Sequence, residues 1–113
     1  MKIHKKEPPR KFSVGKDGKI TISDYGRIYL EPDEQVTFVT ASGKEHDFTA
    51  KSWGFYATPS VNGRLIKEGF KTALVKNKFG KYYIMIVDPD HMSDFDEYLN
   101  KENNEVVEWL DER

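Results

Sequence analysis

The sequence predicts a mainly β protein, a single-domain antiparallel β-sandwich or small jelly-roll-like barrel with one C-terminal helix. Short segments rich in β-branched and aromatic residues recur along the chain, and Gly, Pro, Asn and Asp separate them. After Asp88-Pro89-Asp90 the apolar residues change to helical spacing. The length of 113 residues is typical of one domain with one core.

The N-terminal residues 1–11 contain five Lys or Arg residues and a Pro-Pro pair, with few apolar side chains to bury. We predict a flexible basic arm here, or an extended edge segment, followed by one β-rich domain over residues 12–113. Residues 12–14 and 20–22 flank an Asp-Gly dipeptide, a strong signal for a hairpin. Residues 23–26 are predicted to turn into the next strand.

Alternating apolar and polar residues, bounded by turn residues, predict most of the remaining strands. The segment from Tyr82 to Val87 is apolar on both faces, which predicts a central position in its sheet. The predicted strands are 27–30, 35–40, 45–50, 54–58, 70–76 and 81–88.

A helix is predicted at about residues 92–102. Ser93 with Asp96 three residues later is typical of a capping box at a helix N-terminus. An apolar stripe at helical spacing follows one face and consists of Met92, Phe95 and Leu99. Residues 105–110 fit either a strand or a helix, and we favour a strand.

The composition excludes several classes of protein. There is no cysteine, which excludes disulfides, thiolate nucleophiles and Cys-ligated zinc. No apolar stretch is long enough to span a membrane, and the N-terminus lacks the pattern of a secretory signal. We therefore expect a soluble cytoplasmic protein without membrane association.

The net charge of −1 conceals an uneven distribution. Residues 51–81 carry seven Lys or Arg residues against Glu68 alone, whereas residues 88–113 carry ten acids against Lys101 and Arg113. This segregation permits a local positive face, although the net charge disfavours a bulk nucleic-acid binder. Alternatively, the acidic residues 88–113 form ion pairs with this positive face within the same molecule.

Motifs for catalysis are missing. No phosphate-binding loop, dinucleotide fingerprint or nucleophile elbow occurs, so we name no catalytic residue, expect no cofactor and lean against an enzyme. His4, His46 and His91 lie in three different contexts, and the neighbours His46 and Asp47 point to opposite faces of a strand. We predict no metal site.

The stretch from Leu30 to Phe38, with Pro32 in its turn, is similar to the strand, proline turn and strand of cupins. This resemblance covers under a tenth of the chain and implies a jelly-roll sandwich. The closely spaced histidines and the later glutamate of metal-dependent cupins have no counterparts here. A cupin-like enzyme is therefore a minor alternative.

The best candidate for a functional surface is the segment from Ser52 to Gly69. A long polar loop follows an aromatic cluster, and loops of this length are often functional. Aromatic faces stack on rings, and an Arg fork binds phosphate or carboxylate. We hypothesise a non-enzymatic site for an anionic ring-containing ligand, such as a phosphorylated sugar or nucleotide, formed by Trp53, Tyr56, Ser60, Asn62, Arg64 and Lys71. The alternative is that these residues only pack, turn and form ion pairs.

A second hypothesis is a β-barrel that binds single-stranded nucleic acid. Lysines interleave with aromatic residues in the segment 76–83, and small β-barrels bind single strands with such surfaces. The candidate nucleic-acid face is Lys76, Lys78, Phe79 and Lys81. Exposed Phe79 also suits a protein-interaction module, and unpaired strand edges leave a homodimer open.

Overall fold

The structure is a computed structural model that describes all residues from 1 to 113. Half of the residues (50%) lie in strands and 19% in helices, which confirms the mainly β prediction. The strands are β1 (Lys2–Val14), β2 (Ile20–Tyr29), β3 (Gln35–Val39), β4 (Glu45–Lys51), β5 (Gly54–Ala57), β6 (Lys71–Lys76), β7 (Tyr82–Val87) and β8 (Glu105–Trp109). The helices are α1 (Arg64–Lys67) and α2 (Met92–Glu102), with 3-10 turns at Pro89–His91 and Leu110–Glu112.

The strands form three small antiparallel sheets, and none of them closes into a barrel. The sheet orders are β1-β2, β3-β4-β5 and β7-β6-β8. The chain forms two compact units. The first comprises Met1–Val36 with Phe48–Tyr56, and the second comprises Thr37–Asp47 with Ala57–Arg113. No helix combines the length and the apolar character needed to cross a membrane.

In the first unit, β1 and β2 pair into a long two-stranded ribbon. The hairpin predicted around the Asp-Gly dipeptide is confirmed, with Phe12 opposite Ile22 and Val14 opposite Ile20. The segment 1–11, predicted as a flexible arm or an extended edge segment, forms most of β1 and pairs with β2. Its basic residues are thus held on an ordered strand.

The turn predicted at residues 23–26 is wrong, because β2 continues through it. The irregularity lies in β1 instead, where the register shifts between Lys5 and Arg10. Asp24 accepts a hydrogen bond from the backbone N–H of Gly26 (3.1 Å), a local bond typical of turns. Gly26 has a φ of 139°, and a Cβ there would lie 2.2 Å from the His4 carbonyl oxygen. Asp24 and Gly26, which are typical of turns, therefore accommodate a β-bulge in the ladder between β1 and β2.

Asp24 anchors the bulge electrostatically. Its carboxylate accepts a hydrogen bond from the Lys6 ammonium (2.8 Å) and lies 3.4 Å from the Arg10 guanidinium. The bond from Lys6, together with the backbone N–H of Gly26, lowers the pKa of Asp24 to about 2. This carboxylate is therefore engaged within the ribbon.

The second unit has its core between the sheet β7-β6-β8 and α2. Three fully or nearly buried residues, Ala73, Val75 and Val87, form the centre of this core. The predicted helix at 92–102 is confirmed, and its apolar stripe packs against the core. The partly buried neighbours are Met85, Met92, Phe95, Leu99, Val106 and Trp109.

Three details of this unit differ from or complete the predictions. β6 is the central strand and β7 lies at the edge, so the central position predicted for Tyr82–Val87 is wrong. Ser93 lies inside α2, so the predicted capping box is also wrong. Asp88 instead accepts a hydrogen bond from the Asp90 N–H (2.9 Å) and caps the 3-10 turn Pro89–His91, which precedes α2. The ambiguous segment 105–110 forms β8 followed by a 3-10 turn.

Candidate functional site

The polar loop predicted after Thr58 is a compact connection with its own structure. Leu65 and Pro59 are fully buried, and α1 contributes one helical turn. The Ser60 hydroxyl accepts a hydrogen bond from the Arg64 N–H (3.2 Å), and the Ser60 carbonyl accepts one from Leu65 (3.1 Å). Because Gly63 passes close to Ser60, a Cβ at Gly63 would lie 2.4 Å from the Ser60 hydroxyl oxygen. The hydrogen bonds of Ser60 thus stabilise the loop itself.

Arg64, the predicted anion contact, is engaged by two carboxylates. Its Nη1 donates to Asp47 Oδ2 (3.1 Å) and to Glu68 Oε1 (2.6 Å). The hydrogen bond to Asp47 raises the pKa of Arg64 further above its ordinary value. Its partners lie on β4 and just after α1, whereas the sequence suggested pairing with the acidic tail. An anionic ligand would have to compete with both carboxylates.

Asp47 is the buried partner in this cluster. Besides Arg64, it accepts a hydrogen bond from the Thr37 hydroxyl (2.7 Å). That bond, with the contribution of Arg64, outweighs desolvation and lowers the pKa of Asp47. A buried carboxylate held in its charged form by such partners is a structural element of the loop.

Lys71, the second predicted anion contact, is engaged as well. Its ammonium lies 2.9 Å from Asp111 Oδ2 and 4.9 Å from the centroid of the Trp109 ring. The bond to Asp111 raises the pKa of Lys71. Asp111 also accepts a hydrogen bond from the Thr72 N–H (2.9 Å). The acidic tail therefore pairs with a cation of the positive segment, as the alternative reading proposed.

The remaining predicted ligand contacts are exposed. Asn62 lies in the turn before α1. Trp53 (69% exposed) and Tyr56 form an aromatic pair with ring centroids 6.1 Å apart. These two aromatic residues belong to the first unit, and the other four predicted residues belong to the second. Neither unit therefore contains the complete predicted site, and the anionic small-ligand hypothesis stays a prediction.

The candidate nucleic-acid face at the β6–β7 hairpin differs from the Arg64 and Lys71 region, because its lysines have no carboxylate partners. None of Lys76, Lys78 and Lys81 forms an ion pair in the structure. The Lys78 ammonium lies 5.1 Å from the centroid of Phe79, whose side chain is 76% exposed. All the predicted residues of this face lie in or beside one hairpin.

Tyr82 completes this surface. It lies opposite Lys76 in the ladder, and the ammonium is 5.9 Å from the ring centroid. Tyr82 is 57% exposed and Tyr83 is 47% exposed, although a central strand would bury at least one of them. The reason is that β7 is an edge strand of its sheet. We call Lys76, Lys78, Phe79, Lys81 and Tyr82 the hairpin face.

Asn77 organises the tip of this hairpin and was missed as a site residue. Its side-chain carbonyl accepts hydrogen bonds from the N–H groups of Phe79 and Lys81, both at 2.9 Å. Its own N–H donates to the Lys81 carbonyl (2.9 Å), and Gly80 supplies the positive φ of 78°. The signal was present in the sequence, since Asn readily bonds to the backbone two residues ahead. These bonds fix the backbone that presents Phe79 to solvent.

The histidines lie apart from any metal-like cluster. His46 is buried, and burial lowers its pKa, so the neutral imidazole is favoured. Its ring lies 6.4 Å from that of Phe70. No three His, Asp or Glu side chains are arranged to hold a metal ion. The exposed cations and aromatics of the hairpin face are thus the strongest chemical feature of the second unit.

Comparisons with protein-family models, with curated proteins and with solved structures found no match for this chain. The functional conclusion therefore depends on the geometry of its own residues.

Proposed function

We propose that the protein binds single-stranded nucleic acid through the hairpin face. The observation that carries this proposal is Phe79, a phenyl ring exposed to solvent between lysines that have no carboxylate partner. A partner that covers the exposed ring would gain free energy by removing its apolar surface from water. Nucleic-acid bases supply flat apolar partners, and phosphates supply the matching charge.

The aromatic rings support the stacking part of this proposal. Bases stack on aromatic side chains without regard to sequence, and each stacked base contributes about 1–3 kcal/mol. Phe79 stands at the tip and Tyr82 on the following strand, so the two rings offer successive stacking positions along one hairpin.

The lysines support the electrostatic part. Lys76, Lys78 and Lys81 are available because no internal acid neutralises them, in contrast to Arg64 and Lys71. Glu105 lies opposite Lys76 in the ladder with β8, yet the two side chains form no ion pair. Binding of phosphates by these lysines would release counterions. The proposal needs no closed barrel, because an open sheet edge can present the same groups.

The test is titration of the full chain with a fluorescein-labelled oligothymidylate of 20 nucleotides, followed by fluorescence anisotropy at several salt concentrations. We expect Phe79→Ala to weaken binding about 5- to 150-fold, the equivalent of 1–3 kcal/mol. Lys78→Glu should weaken binding and flatten the dependence on salt.

Matched variants keep this test specific. Phe55 is exposed to a similar degree (67%) in the first unit, so Phe55→Ala is the aromatic control. Lys67 in α1 is exposed and forms no ion pair, so Lys67→Glu controls for the change in net charge. Equal losses in the control variants, affinity that does not depend on salt, or no binding at low salt would each refute the proposal.

A second candidate rests on the exposed pair Trp53 and Tyr56. This pair could stack on the ring of an anionic ligand, as the small-ligand hypothesis requires. The test is titration with a nucleoside monophosphate, monitored by Trp fluorescence. We expect Trp53→Ala and Tyr56→Ala to weaken binding if this hypothesis holds, and unchanged affinity in both variants rules it out.

A further inference from the structure

The β1–β2 ribbon has two chemically different faces. Residues opposite each other in an antiparallel ladder share a face, and the faces alternate along each strand. The register places aliphatic and phenyl side chains together on one face, which consists chiefly of Ile3, Phe12, Val14, Ile20, Ile22 and Ile28. The opposite face is polar. We call it the basic face, and its cationic residues are Lys2, Lys11 and Arg27, with His4 on the same face.

The basic face contains no carboxylate among its ladder residues. The only acid of the paired positions, Asp24, lies on the apolar face with Arg10 beside it. Lys2, Lys11 and Arg27 are exposed and form no ion pair. The hydroxyl groups of the same face add neutral hydrogen-bond donors and come from Ser13, Thr21 and Ser23. This face therefore combines positive charge with hydroxyl groups and carries no carboxylate at its ladder positions.

We propose that the basic face of the ribbon binds duplex DNA by lying along the major groove with its cations toward the phosphates. The major groove of B-form DNA is about 12 Å wide and admits a two-stranded β-ribbon. Lys, Arg and hydroxyl side chains are the usual phosphate contacts in such interfaces. The ribbon extends for 13 residues in β1, about 40 Å at roughly 3.3 Å per residue, which exceeds one turn of duplex.

An anionic membrane is disfavoured as the partner by the separation of the two faces. Binding to a membrane surface combines cations with apolar side chains that insert among the lipids. Here Lys2, Lys11 and Arg27 lie on the face opposite the aliphatic side chains. Of the two cations on the aliphatic face, Lys5 and Arg10, Arg10 is paired with Asp24. Duplex RNA is also disfavoured, because its deep and narrow major groove does not admit such an element.

The experiment measures binding of the full chain to a 20-base-pair DNA duplex across a range of salt concentrations. Lys11→Glu should weaken binding and reduce the slope of log affinity against log salt by about 1. Arg27→Ala should act in the same direction. The matched control is Lys5→Glu, which makes the same charge change on the same strand but on the apolar face.

Each outcome decides the proposal. It is supported if Lys11→Glu and Arg27→Ala lose duplex affinity while Lys5→Glu retains it and circular dichroism shows all variants folded. Equal losses in Lys5→Glu, equal binding of duplex RNA, or tighter binding to phosphatidylserine vesicles would overturn it. The proposal does not depend on the hairpin face. Phe79→Ala should leave duplex binding intact, and a loss there would assign the DNA contact to that face instead.

Discussion

The segment 58–71 and the hairpin tip at 76–83 carry similar cations in very different surroundings. Arg64 and Lys71 each bind carboxylates, and one carboxylate of each set is buried. Lys78 and Lys81, a few residues further on, have no such partner. Charge counted along the sequence therefore does not reveal which cations can meet a ligand. The positions of the acids in the fold decide it.

The largest effect expected from this comparison concerns the stability of the first segment. Leu65 in α1 is fully buried, so Leu65→Ala should lower the free energy of unfolding by about 2–5 kcal/mol. Urea denaturation followed by circular dichroism measures it. The adjacent Ile66 is 46% exposed, and Ile66→Ala should change stability by only about 0.5 kcal/mol. Similar losses in both variants would show that α1 does not anchor the segment.

The second effect concerns the buried acid that holds Lys71. Asp111→Asn should cost about 1–3 kcal/mol, because the substitution removes the charge that pairs with Lys71. Urea denaturation at neutral pH measures this loss. Stability unchanged in this variant would show that the ion pair contributes nothing.

The same carboxylate makes stability depend on pH. Burial alone would raise the pKa of Asp111, but hydrogen bonds from Lys71 and Thr72 outweigh it and lower the pKa below its ordinary value of 3.8. A carboxyl with a depressed pKa stabilises the fold fully above its unfolded pKa. That stability is lost as pH falls from the unfolded pKa through the folded one. Urea midpoints measured between pH 6 and pH 2 should therefore fall less in Asp111→Asn than in the wild type.

The smallest effect separates structural cations from available ones. Arg64→Ala should lower the urea midpoint, because it leaves the buried carboxylate of Asp47 without its guanidinium partner. Lys78→Ala should leave the midpoint unchanged, since no acid depends on it. An unchanged urea midpoint in Arg64→Ala would show that Arg64 is not needed for stability. Arg64 would then be as available to an anionic ligand as Lys78.

Local patterns were sufficient to predict much of the fold. Alternation and turn residues placed most of the strands, and the stripe Met92, Phe95 and Leu99 placed α2 against the core. The errors came from tertiary information. Two apolar faces predicted a central β7, yet Tyr82 and Ile84 lie exposed on an edge strand. Turn residues at Asp24 and Gly26 became part of a bulged ladder because Lys6 and Arg10 bind Asp24 from the other strand.

The candidate sites were predictable to a lesser degree. The hairpin face could be read from the sequence because its residues are adjacent in the chain. The partners of Arg64 and Lys71 could not, because Asp47 and Asp111 are 17 and 40 residues away. The basic face of the ribbon escaped notice because its separation from the apolar face depends on register.

The bulge of the ribbon also sets which side of β1 each residue occupies. Four residues, 6–9, stand where β2 has only Tyr25. Because of this insertion, the residues of β1 on the apolar face have odd numbers before the bulge, such as Ile3, and even numbers after it, such as Phe12. Deleting one residue there would turn Lys2 and His4 to the apolar side, whereas deleting two would restore them. The length of this short segment, more than its composition, therefore keeps Lys2 and Lys11 on the same side of the ribbon.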